Sequence, residues 1–337
     1  MTWARCAAVV LAALAAIGAP VGTTRAADRV EVSLGATDDP VYLPNFIAID
    51  KGYYEQLGLD VDVTYANGSI ATMGLASGEL QFSTSTGSAV SAVLKGAALK
   101  VVMTLSETVP WKLWSTQPEI RTLEDLQGKA VGVQSRGDLF ELSMRAALMK
   151  RGLSGDFVWY LPLGFGSTQR LAAVQSGTLP AVLLTNLEEK IARDRGEFDR
   201  ANLLIDLGKD IRIPNNGLAV ADRLLATNPS VVERFVRGTL MGVRYMKVQR
   251  EGALRIFAKR VPNVPLDSLR ASVEEAAEVM LQDGMTSLAA QQSEIALRTA
   301  MLGLSQQQMT ASDKVFDYAT VIEAAQRLQA SNWTPTE

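Results

Sequence analysis

Residues 59–105 read LDVDVTYANGSIATMGLASGELQFSTSTGSAVSAVLKGAALKVVMTL. Three strand-like runs, LDVDVTY, LQFST and KVVMTL, are separated by two helix-like runs, SIATMGLASG and GSAVSAVLKG. Both helical runs stop at a glycine, Gly78 and Gly96, and the preceding PNFIAIDKGYYEQLG stops at Gly58. Glycine lets a helix end in the left-handed conformation and turn back into a strand. Repeated βα units of this kind predict a sheet that is at least partly parallel, with helices on both faces.

Working outward, VEVSLGA from Val30 supplies a strand on the N-terminal side. A second alternating series opens at Thr122 with TLEDLQGKAVGVQ, a short capped helix and a strand. DLFELSMRAALMKRG, FVWYLPL, STQRLAAVQSG, AVLLT, NLEEKIARDRG and ANLLIDL continue it. Near Asn215 the pattern changes to one more strand, GLAVA, and then to amphipathic helices as far as about Ala330. The first of these, SVVERFVRGTLMGVRYMKVQR, places Ser230 and Glu233 at capping-box spacing. The fold class is therefore α/β, with two lobes and a helical tail that returns to cover the first. Crossings between lobes are expected near 115–121 and 211–217.

Composition narrows the chemistry. The 337 residues include no histidine and one cysteine, Cys6. Histidine triads, histidine general bases and most zinc, copper or haem sites are excluded, so no catalytic residue, metal ligand or cofactor is assigned. Arg5 precedes the apolar run AAVVLAALAAIG, and a small-x-Ala site ends at Ala26. This run falls well short of the ~20 apolar residues of a spanning helix, so residues 1–26 read as a signal peptide that carries Cys6 away on cleavage. The mature chain of 311 residues has a net charge of −5, which argues against nucleic acid and anionic lipid as partners.

In open α/β sheets ligands lie beyond the carboxyl ends of the strands, where loops enter helix N-termini. That rule selects residues 37–44, 67–69, 83–88, 135–138, 164–168 and 185–187. The candidate contacts there are Asp38, Tyr42, Asn67, Ser69, Ser83, Thr84, Ser85, Thr86, Ser135, Arg136, Asp138, Ser167 and Asn186, with Trp111 just before the first crossing. Helix capping competes for several of them: Asp138 with Glu141 and Asn186 with Glu189 have capping-box spacing, and Ser69 and Ser167 are good caps. The run Ser83 to Ser88 exceeds what one cap uses. Arg136 is either a fork for a carboxylate or sulfonate or a solvated surface arginine. Trp111 can stack on a ligand or pack in a core; Tyr53 and Tyr54 read as structural.

The stretches PNFIAIDKGYYEQLGLDV, LASGELQFST, DLQGKAVGVQS and RLAAVQSGTLPAVLLTN, in this order, resemble the nitrate, sulfonate, taurine and thiamine-pyrimidine group of periplasmic substrate-binding proteins of ABC importers. The resemblance implies a type II periplasmic binding protein fold, two α/β lobes joined by a two-strand hinge with the helical C-terminal part packed on lobe one. Lobe one would comprise 27–116 and 217–337, and lobe two 117–216. The family's cleft positions fall on the loop before Pro44, on Ser83 to Thr86 and on Ser135 to Asp138. SRGDLFEL departs from the small Gly/Ser/Thr-rich turn of many relatives, and Gln81 replaces a common aspartate in a structural position. The implied function is capture of a small polar or anionic solute (sulfonate, aromatic carboxylate or pyrimidine) in the periplasm and delivery to permease and ATPase subunits, by a monomer. The alternatives are a biosynthetic enzyme on the same fold and a sensory binding protein.

Overall fold

In the computed structural model the described residues are 27–336 apart from 67, 165–166, 197, 199 and 306–309. The expected signal peptide and Asn67 lie outside them. The strands form two five-stranded sheets. The first contains β1 (Asp28–Leu34), β2 (Leu59–Tyr65), β3 (Phe82–Ser83), β4 (Leu99–Thr108) and, from much later in the chain, β10 (Arg212–Ala221), in the order β2-β1-β3-β10-β4. The second contains β5 (Trp111–Ser115), β6 (Ala130–Val133), β7 (Trp159–Pro162), β8 (Ala181–Thr185) and β9 (Asn202–Asp206), in the order β7-β6-β8-β5-β9. β1 is parallel to β2 and β3, and β6 to β7 and β8, as βα alternation requires. The crossing strands β10 and β5 run antiparallel to their neighbours. Gly58, Gly78 and Gly96, read as helix stops, all have positive φ, 71°, 87° and 94°.

The first crossing falls earlier than the sequence suggested. The chain leaves β4 at Thr108 and enters β5 at Trp111, so Trp111 and Trp114 pair in the second sheet with β8 and β9. The turn between the two strands is Val109–Pro110, and Pro110 has no N–H to give to a ladder. The return from β9 to β10 spans residues 207–211, at the near edge of the 211–217 expected, and β10 begins at Arg212, ahead of GLAVA.

Helices α1 (Leu43–Asp50), α2 (Tyr53–Gln56), α3 (Gly68–Ser77) and α4 (Thr86–Leu94) connect the first sheet; α5 (Leu139–Lys150), α6 (Ser167–Ser176), α7 (Asn186–Asp194) and α8 (Leu207–Asp210) belong to the second. The tail comprises α9 (Asp222–Thr227), α10 (Pro229–Val248), α11 (Arg250–Ala258), α12 (Leu266–Val279), α13 (Leu288–Met301), α14 (Ser312–Val315) and α15 (Ala319–Ala330). α10 packs on α1 and α15, and Tyr54 stacks on its Phe235 at 4.7 Å while the Tyr54 hydroxyl bonds Thr239 at 2.8 Å. Burying rings of this size with the hydroxyl satisfied is what fixes the tail on the first sheet. Gln81 is structural as read: its side chain accepts from Glu31 N (2.8 Å) and donates to Gly78 O (3.1 Å).

The tail also reaches the second sheet. α12 packs against α7, where Ser268 Oγ donates to Asp194 at 2.7 Å. α13 packs against α5, with Leu297 and Met301 against the apolar cluster of Trp111, Phe140, Leu148 and Leu183. Caps differ from expectation in several places, and Ser69, read as a cap, lies inside α3, which begins at Gly68. Thr185, not Asn186, caps α7 in a reciprocal box with Glu188, one residue earlier than read. α10 begins at Pro229 after Asn228 with no side-chain cap, because proline with its fixed φ starts the helix one residue before Ser230.

Candidate ligand cleft

The loops leaving β1, β3, β6 and β8, together with the two crossing strands, converge on two neighbouring cavities that share part of their lining. An inner chamber of about 70 Å³ is lined by Ala36, Asp38, Asp39, Tyr42, Trp111, Gln134, Leu139, Phe140, Arg170, Thr185, Leu187, Glu188, Asn215 and Asn216. It shares Tyr42, Gln134, Leu139 and Asn216 with an outer groove of about 590 Å³. The groove is within the range of small-molecule sites, whereas the chamber holds only a fragment of such a ligand.

Charge in the chamber is arranged around one ion pair. Arg170, in the first turn of α6, gives Nε (2.8 Å) and Nη2 (2.7 Å) to Glu188 Oε1, in the first turn of α7, and both side chains are buried. Glu188 Oε2 also accepts from Thr185 N at 2.8 Å. Burial raises the Glu188 carboxyl's pKa, against the opposing pull of Arg170. Asp39 accepts from Val41 N at 2.9 Å, yet burial, with repulsion from Asp38 and Glu188, pushes its pKa up to about 6. Tyr42 is held protonated, chiefly by burial and the nearby Asp39 and Asp38, and its hydroxyl bonds the Asn216 side chain. Asn216 sits in the left-handed region, φ 53°, where asparagine is tolerated better than most residues. Trp111 is 4% exposed and stacks on Phe140 at 3.9 Å, and the Arg170 guanidinium lies 5.1 Å from the Phe140 centroid. The Trp111 Nε1–H has no acceptor among the described residues.

The outer groove is lined from the first sheet by Ser69, Thr72, Ser85, Ser88, Ser91 and Lys95, and from the second by Ser135, Arg136, Gly137 and Asp138. Ser85 is the residue before α4 and makes no side-chain cap bond, which leaves its hydroxyl for the groove. Its neighbours are committed inward: Ser83 Oγ accepts from Ser85 N (3.1 Å), Thr84 Oγ1 donates to Ser33 O (3.1 Å), and Thr86 is buried. Asp138 caps α5, accepting from Glu141 N (2.9 Å) and Ser135 N (2.7 Å), while burial pushes its pKa up to about 6. Arg136 pairs with Glu141 at 2.9 Å, and its side chain remains 59% exposed at the mouth. Arg298 of α13 lies behind the groove, 1% exposed, paired with Glu294 at 2.8 Å. Its Nη1 donates to Ser91 Oγ (3.1 Å) and Gly137 O (3.3 Å), joining the two walls, and a Cβ at Gly87 would collide with its Nη2.

Of the residues named from sequence, the structure thus gathers Asp38, Tyr42 and Trp111 in the chamber and Tyr42, Ser69, Ser85, Ser135, Arg136 and Asp138 in the groove. Ser83, Thr84 and Thr86 line neither. Asn186 lines a recess of about 30 Å³ beside the chamber, and its side chain bonds Glu275 of α12. Ser167 begins α6. Sequence reading missed Asp39, Gln134, Arg170, Glu188, Asn215 and Asn216. Arg170 and Glu188 stand three residues inside amphipathic helices, where charge ordinarily means solvent; the usable signal was a charge in the first turn of each of two helices entering the same cleft.

The chain belongs to the NMT1/THI5-like family, whose model matches residues 39–253. This bears out the resemblance read from the sequence. A curated relative, the riboflavin-binding protein RibY of Chloroflexus aurantiacus, is 27% identical over 287 residues, covering 77% of this chain and 78% of its own. Among solved structures, the nitrate-binding protein NrtA of Synechocystis PCC 6803 has a TM-score of 0.70 at 14% identity, covering 92% of each chain. The aliphatic sulphonate-binding protein SsuA of Escherichia coli has 0.67 at 17%, covering 85% of this chain and 92% of its own. The desulfurization enzyme DSZB shares the fold as well, with 0.63 at 14%, covering 89% of this chain and 99% of its own. The protein therefore has the two-lobed periplasmic binding protein fold found in ABC import systems.

Proposed function

We propose that the protein is the solute receptor of an ABC importer. It is exported to the periplasm, loses its signal peptide after Ala26, works as a monomer and presents a captured small molecule to permease and ATPase subunits. The lobes, expected at 27–116 with 217–337 and at 117–216, are taken as 27–109 with 212–337 and as 110–211, which keeps β5 and α8 with the second sheet. The observation that carries this reading is a chamber and a neighbouring groove walled by both sheets, in the family and fold of import receptors. A cleft walled from two sides binds best when closed, so ligand would shift the population toward the closed form. Among the described residues no helix is long and apolar enough to cross a membrane.

The enzyme alternative is less well served by these side chains. A chain without histidine must do acid–base work with carboxylates, lysine or tyrosine. In the chamber Tyr42 is held protonated and Glu188 is tied to Arg170. Riboflavin, for which the relative RibY is named, is the first solute to try. Titration of residues 27–337 with riboflavin, pyrimidines, sulfonates, aromatic carboxylates and nitrate, followed by tryptophan fluorescence and melting temperature, should give a saturable shift with one class and no product. Chemical turnover of the bound compound would overturn the receptor reading.

A further inference from the structure

The tail helices α12 and α13 both pack on lobe one, yet they also reach lobe two, on opposite faces of its sheet. Where α12 meets α7 the two lobes share one core. Leu269, Val273 and Ala277 of α12 lie in the same continuous buried cluster as Leu187, Ile191 and Ala192 of α7 and as Val102 and Leu218 of the first sheet. Ser268 Oγ donates to Asp194 at 2.7 Å beside this cluster, and the space left over is the recess of about 30 Å³.

Where α13 meets α5 the cores stay apart. Ile295 belongs to a lobe-one cluster with Val90 and Val101, while Leu297 and Met301, only partly buried, lean on the separate lobe-two cluster that contains Phe140 and Leu148. A cavity of about 540 Å³ lies at this junction, lined from α13 by Ala300 and Met301 and from lobe two by Arg145 and Asp156. Arg298 Nη1 spans it, donating to Ser91 Oγ of lobe one (3.1 Å) and to Gly137 O of lobe two (3.3 Å). Parting α12 from α7 would put a shared core into water, which is costly in proportion to the apolar surface exposed. Parting α13 from α5 widens an existing cavity and breaks one long hydrogen bond. Arg298 keeps Glu294, on its own helix, at 2.8 Å, so no charge is left without its partner.

From this asymmetry, and resting on the reading of the chain as a receptor whose lobes move, we infer that the cleft opens on one side only. Lobe two swings on the α12–α7 contact as its pivot. The α13–α5 contact is the catch: the Arg298 bond to Gly137 and the lean of Leu297 and Met301 hold the cleft shut and release together. Solute then enters the groove past Ser91, Lys95 and Arg136. The chamber shares Asp39, Leu187 and Asn215 with the recess at α12, and that end stays covered throughout.

Residues 27–337 contain no cysteine, so introduced pairs take nitroxide labels cleanly. Asp267→Cys with Arg195→Cys reports across α12 and α7, and Ala300→Cys with Asp156→Cys reports across the cavity beside α13; all four positions are exposed. Pulsed electron resonance on the ligand-free chain should find one narrow distance for the first pair and an added, longer distance for the second. Arg298→Lys, which keeps the charge and loses the fork, should raise the longer fraction about threefold or more and leave the first pair unchanged. Met301→Ser, at a partly buried position where the fold is less at risk, should move the same fraction in the same direction. A first pair that lengthens as much as the second would overturn the pivot. A longer fraction unchanged in both variants, with melting temperature showing that they fold, would overturn the catch. No solute takes part in these distances, so their failure is separate from failure of the receptor reading, which the titration with solutes decides.

Discussion

The two walls of the cleft are built on opposite plans. The wall from the first sheet offers hydroxyls on the N-terminal turns of α3 and α4 and the helix face behind them, Ser69, Thr72, Ser85, Ser88 and Ser91, of which Thr72 bonds Gly68 O and Ser91 accepts from Arg298. The wall from the second sheet offers groups already committed to one another: Arg170 to Glu188, Arg136 to Glu141, Trp111 to Phe140. Hydroxyls rotate to suit a partner and lose little when it changes. Interlocked charges are costly to disturb, because each partner is left buried without the other. The difference teaches that the hydroxyl face of the first wall can adapt to ligand shape, while charge in the chamber comes from both sides, from Asp38 and Asp39 of the first and the Arg170–Glu188 pair of the second.

Breaking the second wall should have the largest effect. Glu188→Ala leaves Arg170 buried and unpaired and should cost about 3–5 kcal/mol in urea unfolding, whereas Glu188→Leu with Arg170→Met should recover most of it. A double variant as unstable as the single one would show that the pair is not what holds that wall. Asp39 should respond in the opposite sense. The folded chain keeps the Asp39 proton up to about pH 6, whereas unfolded aspartate releases it near pH ~4. Ionised Asp39 therefore costs stability above pH 6, and the cost fades as pH falls from 6 toward 4. Asp39→Asn should raise unfolding free energy by roughly 2 kcal/mol at about pH 7.5 and by little below pH 4.

Arg298 sharpens the comparison because it touches both walls. Arg298→Lys keeps the charge beside Glu294 but loses the planar fork that spans Ser91 and Gly137, and should cost about 1–2 kcal/mol. If it holds the walls together, small-angle scattering should also find the empty variant more extended; an unchanged profile would reduce it to a packing role. The smallest effect belongs to the first wall. Ser85→Ala should weaken binding by about 1 kcal/mol with stability unchanged, whereas Thr86→Ala should show the reverse, since Thr86 is buried and lines neither cavity.

Much of the architecture is legible because it repeats. βα alternation, glycine stops and the Asp138 cap are local signals, each decided within a few residues, and all three hold in the structure. The hydroxyl run at Ser83 to Ser88 is local too, although strand alternation and helix entry turn Ser83, Thr84 and Thr86 inward and leave Ser85 and Ser88 to the groove. What could not be read is what only the fold assembles. Arg170 and Glu188 are eighteen residues apart on different helices and meet because β7 and β8 both flank β6 in the second sheet. Asp39 is set apart from its neighbour Asp38 by accepting from Val41 N at the turn before α1, a bond that sequence alone does not assign to either. The first crossing was misplaced for a related reason: the short run Trp111 to Ser115 takes its sheet from β8 and β9, partners far along the chain.

The seat of β10 between β3 and β4 has a consequence for the order of assembly. The middle of the first sheet stays vacant until the chain has been supplied past residue 212, while residues 111–206 already contain every strand of the second. Contacts of long sequence separation form late because loop closure must come first. The second sheet should therefore mature ahead of the first on refolding, with pulse-labelled amides of β6 and β8 protected before those of β4 and β10. Until then β3 and β4 keep unpaired edges, which is where a newly exported chain would be most exposed to aggregation.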